Sequence, residues 1–169
     1  MRSPFITSKI KYKTSLIEFE DIKDIWTNKL WPNRESEIKS MSSMTYKGGY
    51  DMEIYKKYLP TFFAVYNNNG KIIGVNSGHR TTDELYRSRG IWVDPAYRNQ
   101  GVAGILFCET FGQAMKEQCK SVWSVPRKDA LSAYKKVGFE QTSDFFNEGM
   151  EFGPNCYVHA ELDYEFKPH

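Results

Sequence analysis

The sequence predicts a mixed α/β domain with one parallel crossover at its centre. Three observations carry this. Two β-prone runs, Thr61 to Tyr66 and Lys71 to Ser77, are joined by Asn67-Asn68-Asn69-Gly70, whose residues tolerate positive φ, and together they read as a hairpin. The run Leu85 to Val93 closes on residues that are apolar on both faces, as a central strand requires. An apolar-patterned helix from Gly101 to about Gln118 then separates it from a short strand, Ser121 to Val125, and a crossover of that length makes the two strands parallel.

The 169 residues read as one domain, 1–169, large enough to bury a core without metals or disulfides, and no metal ligands are assigned. With 40% hydrophobic residues, 26% charged residues and a net charge of +2, the composition is that of an ordinary globular protein and gives no steer toward nucleic acid or acidic membranes. Cys108, Cys119 and Cys156 are odd in number, and the first two, placed on one helix, stand about 16 Å apart at 1.5 Å per residue, too far for a disulfide. Reduced thiols are expected. The N-terminus has no apolar signal core and no segment reaches membrane-spanning length, so a cytoplasmic location with no membrane partner is expected.

Taken in order, the alternation ending Lys9-Ile10-Lys11-Tyr12-Lys13 suits a short strand near an edge. Ile22, Ile25, Trp26 and Leu30 follow helical spacing from Asp21, and Trp31-Pro32-Asn33 ends that helix. From Arg34 to Gly49 no period is sustained, which predicts a loop-rich, partly helical lip closed by Gly48-Gly49. Asp51 caps a second helix with Ile54, Tyr55, Tyr58 and Leu59 on one side, and Pro60 stops it. After the hairpin and the central strand, the crossover helix is expected to bury Ile105, Cys108, Met115 and Cys119, widened by Leu106 and Phe111. Ala130, Leu131, Tyr134 and Val137 define a further helix, Gly138 is its C′ stop and Phe139 begins a strand; the last strand is Cys156 to Leu162, after the turn Gly153-Pro154-Asn155.

The most informative stretch runs from Gly90 to Gly104. It reads as a strand, a sharp turn and a glycine-bearing loop opening a helix, so backbone N–H groups are left to meet an anion. Gly101 and Ala103 are small enough for close backbone approach, and Arg98 adds charge.

Val93-Asp94-Pro95-Ala96-Tyr97-Arg98-Asn99-Gln100-Gly101-Val102-Ala103 resembles the acetyl-CoA signature of the GNAT superfamily of N-acetyltransferases, in which Arg or Gln precedes x-x-Gly-x-Gly/Ala after a strand and a V-x-P turn. Ala130-Leu131-Ser132-Ala133-Tyr134-Lys135-Lys136-Val137-Gly138-Phe139 resembles the second signature, a helix ending Tyr-x-x-x-Gly-Phe, and the two together cover residues 60 to 162. The resemblance implies a GNAT-like central sheet, mostly antiparallel with one parallel crossover, flanked by about four helices. It also implies acetyl-CoA as cosubstrate and an amine acceptor that attacks the thioester directly in a ternary complex. The cofactor-binding residues it implies are Ile91, Val93, Arg98, Asn99, Gln100, Gly101, Val102, Ala103, Gly104 and Arg127. Ile91 and Val93 share one side of their strand, with Trp92 on the other. By the same resemblance the end of this strand splays from Ser121 to Val125, and the Val93 backbone N–H polarises the thioester carbonyl.

Tyr134 matches the family's general acid: a phenol with an ordinary pKa of about 10 can return a proton to the departing thiolate. The same residue at helical spacing with Ala130 and Val137 also reads as a core aromatic. Many family members have an Asn seven residues before this tyrosine, contacting the pantetheine arm, where this chain has Arg127. Its guanidinium could reach a coenzyme A phosphate or an acidic substrate, or lie solvated at a helix start; both readings stay open. Glu84, His79 and His159 are candidate bases, with Glu84 carried forward, although each also reads as a surface or structural residue. Trp26, Trp31, Arg34 and Tyr46 are candidates for the acceptor pocket, and Arg80, Arg87 and Arg89 would favour an acidic acceptor, or phosphate, unless they form an exposed mixed-charge hairpin with Asp83 and Glu84. Two alternatives stand beside the amine N-acetyltransferase: a modifier of a protein, peptide or nucleic acid, with tight nonspecific nucleic-acid binding disfavoured by the low charge, and a silent acyl-CoA-binding module in which Tyr134 only packs. A homodimer stays open.

Overall fold

The computed structural model describes residues 12–35, 37–46, 49–148, 150 and 152–164, with side chains left out for 43–50. Strand β1 (Lys13–Ile17) leads to α1 (Phe19–Ile25), which loosens into a π-helical turn at Trp26–Leu30. A 3-10 segment (Ser40–Met44) and the two-residue strands β2 (Thr45–Tyr46) and β3 (Gly49–Tyr50) precede α2 (Met52–Lys57). Strands β4 (Thr61–Tyr66), β5 (Ile72–Arg80) and β6 (Leu85–Val93) follow, then α3 (Val102–Lys116), β7 (Ser121–Ser124), α4 (Leu131–Lys136), β8 (Glu140–Gln141) and β9 (Val158–Glu161).

Seven strands form one sheet in the order β1-β4-β5-β6-β7-β9-β8. The β6–β7 pair is parallel and the others are antiparallel, so the predicted mixed α/β class with a single parallel crossover is what the chain adopts. The turn at Asn67 to Gly70 works through the Asn67 side chain, whose Oδ1 accepts from the N–H groups of Asn69 and Lys71 at 2.9 and 3.0 Å. Asp51 caps α2 as expected, its carboxylate accepting from Ile54 N–H at 3.1 Å.

Several sequence expectations need correction. The first strand starts at Lys13, where the predicted alternation ends; residues 1–11 of that expectation lie outside the described residues, as does Gly48 of the predicted Gly48-Gly49 closure. Helix α3 stops at Lys116 because Gln118 turns into positive φ (65°), so Cys119 lies past the helix, buried, while Cys108 is exposed. The buried row of α3 is Val102, Leu106, Thr110 and Ala114 with Phe107, and not the predicted Ile105, Cys108 and Met115. The polar Thr110 hides that row from a hydropathy pattern. It is buried because its hydroxyl donates to Leu106 O and accepts from Asn76 Nδ2, both at 2.9 Å, while the same amide reaches Ser88 Oγ. The predicted strands from Phe139 and from Cys156 to Leu162 shrink to Glu140–Gln141 and Val158–Glu161.

One irregularity sets up the site. Between the pairs Val75↔Trp92 and Ser77↔Arg89, β5 advances two residues and β6 three, which inserts one extra residue into β6 at Gly90, where φ is +85°. The extra residue reverses which face the following side chains occupy. Tyr86 and Ser88 lie on the α3 face, as do Ile91 and Val93 beyond the bulge, whereas Trp92 joins Trp26, Trp31 and Val75 under α1. Arg87 and Arg89 lie on that same α1 face, stacked on Trp123 and Trp31. Trp26 locks the bulge: it is fully buried, and its indole Nε1–H donates to Gly90 O at 3.0 Å.

Candidate active site

Strands β6 and β7 stay in register only from Leu85↔Ser121 to Arg87↔Trp123 and then diverge, the bulge at Gly90 turning β6 away. Ser124 closes the apex of this V, its hydroxyl donating to Ser88 O at 2.6 Å. Asp94 N–H pairs across β5 to Ile73 O, so strand alternation directs the N–H and C=O of Val93 to the opposite, diverging edge; there Arg98 Nε donates to Val93 O at 3.1 Å. The V opens into a cavity of about 1050 Å³.

One wall of the cavity is the loop that starts α3. Asp94 caps the short turn Pro95–Tyr97 by accepting from Ala96 N–H, and this bond is the main reason its carboxyl is held below the usual range. Asn99 (φ 62°) and Gly101 (φ 85°) then take left-handed backbone conformations that swing the chain into the helix. A Cβ on Gly101 or Gly104 would meet no protein atom within 4 Å, so their smallness leaves the cavity face open and is not needed for packing within the chain. Val102 N–H and its successors sit at the helix start, where an anion is favoured.

The opposite wall is α4, and its Tyr-x-x-x-Gly-Phe sequence has a local explanation. Gly138 N–H donates to Lys135 O and Phe139 N–H to Tyr134 O, at 3.1 and 3.2 Å, with Gly138 at φ 105°. This is a Schellman closure, and its accompanying apolar contact is the Tyr134–Phe139 ring pair, centroids 5.2 Å apart. The closure together with Phe107 at 4.7 Å fixes the Tyr134 ring, and the phenol reaches the apex of the V, 3.5 Å from Ser124 Oγ. Burial raises the Tyr134 pKa above its usual value, opposed by the Ser124 hydrogen bond and by Arg87, Arg127 and Arg89. The side chain is thus protonated at neutral pH and is both a core aromatic and a wall of the cavity.

Of the predicted cofactor residues, Ile91, Val93, Arg98, Asn99, Gly101, Val102, Ala103, Gly104 and Arg127 line this one cavity together with Tyr134. Gln100 does not; its amide binds Tyr12 OH and Ala96 O. Arg127 Nη2 donates to Leu30 O at 2.6 Å and the guanidinium lies 4.9 Å over Phe152, so this residue also ties the β7–α4 connection to the end of the first helix. None of the three candidate bases lines the cavity. Glu84 is paired with Lys120 at 2.8 Å at the other end of β6, so the structure does not bring it to the chemistry; His159 stands 3.4 Å from Glu161. His79 is fully buried, and burial followed by Arg87 and Arg89 holds its pKa well below the usual value. Among the predicted acceptor residues, Trp31, Arg34, Arg87 and Arg89 line the cavity, whereas Trp26 is core, Arg80 pairs with Glu117, and the Tyr46 side chain lies outside the described residues.

Sequence reasoning missed Asn155, Glu148 and the aromatic wall of Phe146, Phe152 and Tyr157. They come from the irregular connection before β9, where no periodicity signals a role. Asn155 is bridged to Arg127 through the backbone, donates its amide to Val125 O at 2.9 Å, and its buried Oδ1 makes no hydrogen bond within the described protein.

Residues 60–141 match the family model described as acetyltransferase (GNAT) domain. No curated protein sequence matches the chain. Among solved structures, the GNAT-family acetyltransferase of Staphylococcus aureus is 17% identical with a TM-score of 0.60, over 89% of this chain and 100% of that one. A GNAT superfamily phosphinothricin acetyltransferase from Sinorhizobium meliloti, solved in complex with AcCoA, is 12% identical with a TM-score of 0.62, over 94% and 93%. Ard1 from Thermoplasma volcanium is 16% identical with a TM-score of 0.62, over 90% and 99%. The matched residues span the hairpin, the central strand, the glycine loop and both helices that wall the cavity, and the Staphylococcus aureus structure shares the fold over 89% of the chain: residues 60–141 match a GNAT acetyltransferase domain, set in a fold shared with GNAT-family structures.

Proposed function

We propose that this chain moves an acetyl group from acetyl-CoA to a primary amine, by direct attack of the amine on the thioester in a ternary complex. The observation that carries the reading is the meeting, in one cavity, of an anion-accepting helix start and a protonated, buried phenol at the apex of the β6–β7 divergence. The matched family model and the AcCoA complex of the Sinorhizobium meliloti neighbour support acetyl-CoA as donor.

In this reading the backbone from Arg98 to Gly104 holds the pyrophosphate, and the pantetheine arm runs into the V as though adding a strand to β6. Asn155 Oδ1 accepts from an amide of that arm, beside the position where the family's Asn is replaced by Arg127. Val93 N–H, directed to the open edge, stabilises the oxyanion that forms on the thioester carbonyl. The free amine's nitrogen bonds to the carbonyl carbon, the C–S bond breaks, and Tyr134 gives its proton to the departing sulfur; the nitrogen's surplus proton passes to solvent, from which Tyr134 is reprotonated. Titration calorimetry with acetyl-CoA and thiol release across an amine panel test the reading; no binding together with no thiol release would reject it. Tyr134→Phe should lower kcat by about 100-fold or more while leaving acetyl-CoA affinity within about twofold, because only the proton donor is removed. Wild-type turnover in that variant removes Tyr134 from the mechanism.

A further inference from the structure

A phenol that protonates a leaving thiolate has two tasks: it gives up its proton, and it then holds a negative charge until a proton returns from solvent. A phenolate in a buried site without a donor is costly. Among the described residues, the side chain within hydrogen-bonding distance of the Tyr134 hydroxyl is Ser124, whose Oγ lies 3.5 Å away, and both residues are buried. Burial raises the Tyr134 pKa, and the Ser124 contact is first among the groups that oppose it. Ser124 owes its place to the divergence of β6 and β7. Val122 and Ser124 face α3, the side on which Phe107 packs the Tyr134 ring. The β6–β7 register ends at Arg87↔Trp123, and beyond it Ser88 O is met by the Ser124 hydroxyl at 2.6 Å. Ser88 is itself fixed: it pairs with Gly78 across β5, and its own hydroxyl accepts from Asn76 at 2.9 Å.

A serine hydroxyl has one proton to donate and two lone pairs to accept with. While that proton is engaged by Ser88 O, Ser124 can only accept from Tyr134, and so it gives the phenolic O–H a defined direction at the apex of the V. Once the phenol has lost its proton, the same oxygen needs a donor. Rotation about the Ser124 Cβ–Oγ bond turns the O–H from Ser88 O to the phenolate, and the long resting contact tightens into a charge-assisted hydrogen bond. Ser88 O, a neutral carbonyl, tolerates the brief loss of a partner better than the phenolate does.

We propose that Ser124 is the positioning residue of the proton-transfer step: it directs the Tyr134 phenol at rest and reverses its own hydroxyl to hold the phenolate after transfer. The assignment rests on the acetyl-transfer reading above and adds to it a residue that touches neither the thioester nor the amine. The Tyr134 proton ends on the coenzyme A sulfur, the Ser124 proton stays on Ser124, and solvent returns a proton to Tyr134.

The test follows thiol release at saturating acetyl-CoA with ethanolamine, phenethylamine, β-alanine and spermidine, and continues on the amine turned over fastest. Ser124→Ala should lower kcat by about tenfold or more, the effect of losing a hydrogen bond to a charged group, with acetyl-CoA affinity by calorimetry within about twofold of wild type. Ser124→Thr keeps the hydroxyl and should recover most of that loss. In Tyr134→Phe, where no phenolate forms, adding Ser124→Ala should change kcat by less than about twofold. A serine that only closes the apex would give the same loss in both backgrounds or weaken acetyl-CoA binding; either result overturns the assignment, as does wild-type kcat in Ser124→Ala. Ser124→Cys, close in size and a weak donor, gives the same readouts if Ser124→Ala does not fold. Carbon NMR of protein labelled at tyrosine Cζ needs no acceptor and decides the case in which no amine of the panel reacts. The Tyr134 signal, identified by its loss in Tyr134→Phe, should titrate about one pH unit or more higher in Ser124→Ala than in wild type, and an unchanged titration overturns the assignment. A wild-type protein that neither binds acetyl-CoA nor releases thiol fails the underlying transferase reading instead.

Discussion

Gly90→Ala is the sharpest test of how the cavity is built. At φ +85° an L residue is in the left-handed region, which costs about 1–2 kcal/mol by itself. The added methyl would also lie 2.6, 2.8 and 2.9 Å from Cζ2, Cε2 and Nε1 of Trp26. That indole cannot step aside cheaply, since it is fully buried against Trp31 and Phe62, with ring centroids 5.1 and 5.9 Å away. Overpacking of this kind costs about 1–3 kcal/mol, and displacing the indole also strains its bond to Gly90 O. The expected loss is about 3–5 kcal/mol, a large fraction of the about 5–15 kcal/mol typical of a domain. Urea unfolding should show a lower midpoint with unchanged slope, and calorimetry a weaker acetyl-CoA affinity, because the divergence of β6 depends on the bulge. Gly70→Ala is the control: its φ is +80° but a Cβ there meets nothing within 4 Å, so the cost should stay at about 1–2 kcal/mol. Trp26→Phe, which removes the clashing Nε1 and Cζ2, should recover part of the Gly90→Ala loss in the double variant. If Gly90→Ala falls within about 0.5 kcal/mol of wild type, the bulge is not locked as described.

Three further outcomes follow from the site and its surroundings. With the Tyr134 pKa raised by burial, an alkaline fall in kcat caused by its ionisation should lie above pH ~10, and the residue's stabilising share should be complete below that pH and be lost as pH rises through its folded-state value; a limb near pH 8 that disappears in Tyr134→Phe would contradict this. His79 has the opposite sign: its folded-state pKa is depressed, so its contribution is complete above pH ~6.5 and falls on acidification by up to about 1.4 kcal/mol per pH unit, as the unfolded chain takes up a proton that the folded chain refuses. Unfolding at pH 7.5 and 5.5, compared with His79→Leu, isolates that loss, and identical pH dependence in the two proteins would refute it. Gly138→Ala meets no steric obstacle but forces φ 105° on a side-chain residue, so it should cost about 1–2 kcal/mol and lower kcat by shifting Tyr134; unchanged stability would mean that the Schellman closure relaxes freely.

The parts legible in the sequence are those written in short-range chemistry. Asn67 to Gly70, Asp51, Gly101 and Gly138 each set a local backbone conformation, so the hairpin, the α2 cap, the loop before α3 and the end of α4 could be placed from neighbouring residues alone. The face of α3 could not. Its buried row includes Thr110, whose burial is made tolerable by Asn76 of strand β5, and a hydropathy pattern scores a hydroxyl as exposed. Glu84 lies outside the cavity lining, paired with Lys120, because nearness in sequence to the central strand says nothing about which end of that strand faces the cavity.

The sequence alone determined the donor side: a glycine loop that opens a helix and a tyrosine set by the helix end that follows, both local motifs whose geometry the backbone imposes. The half of the cavity away from the Gly101 loop was decided only by tertiary structure. One extra residue at Gly90 turns Arg87 and Arg89 to the opposite face from Ile91 and Val93, and whether a strand bulges depends on its partner's register and on Trp26, 64 positions away in sequence. The aromatic residues Phe146, Phe152 and Tyr157 of the same cavity lining arrive from the connection before β9, and their position follows from long-range pairing such as the Arg127–Asn155 bridge, which no local pattern encodes.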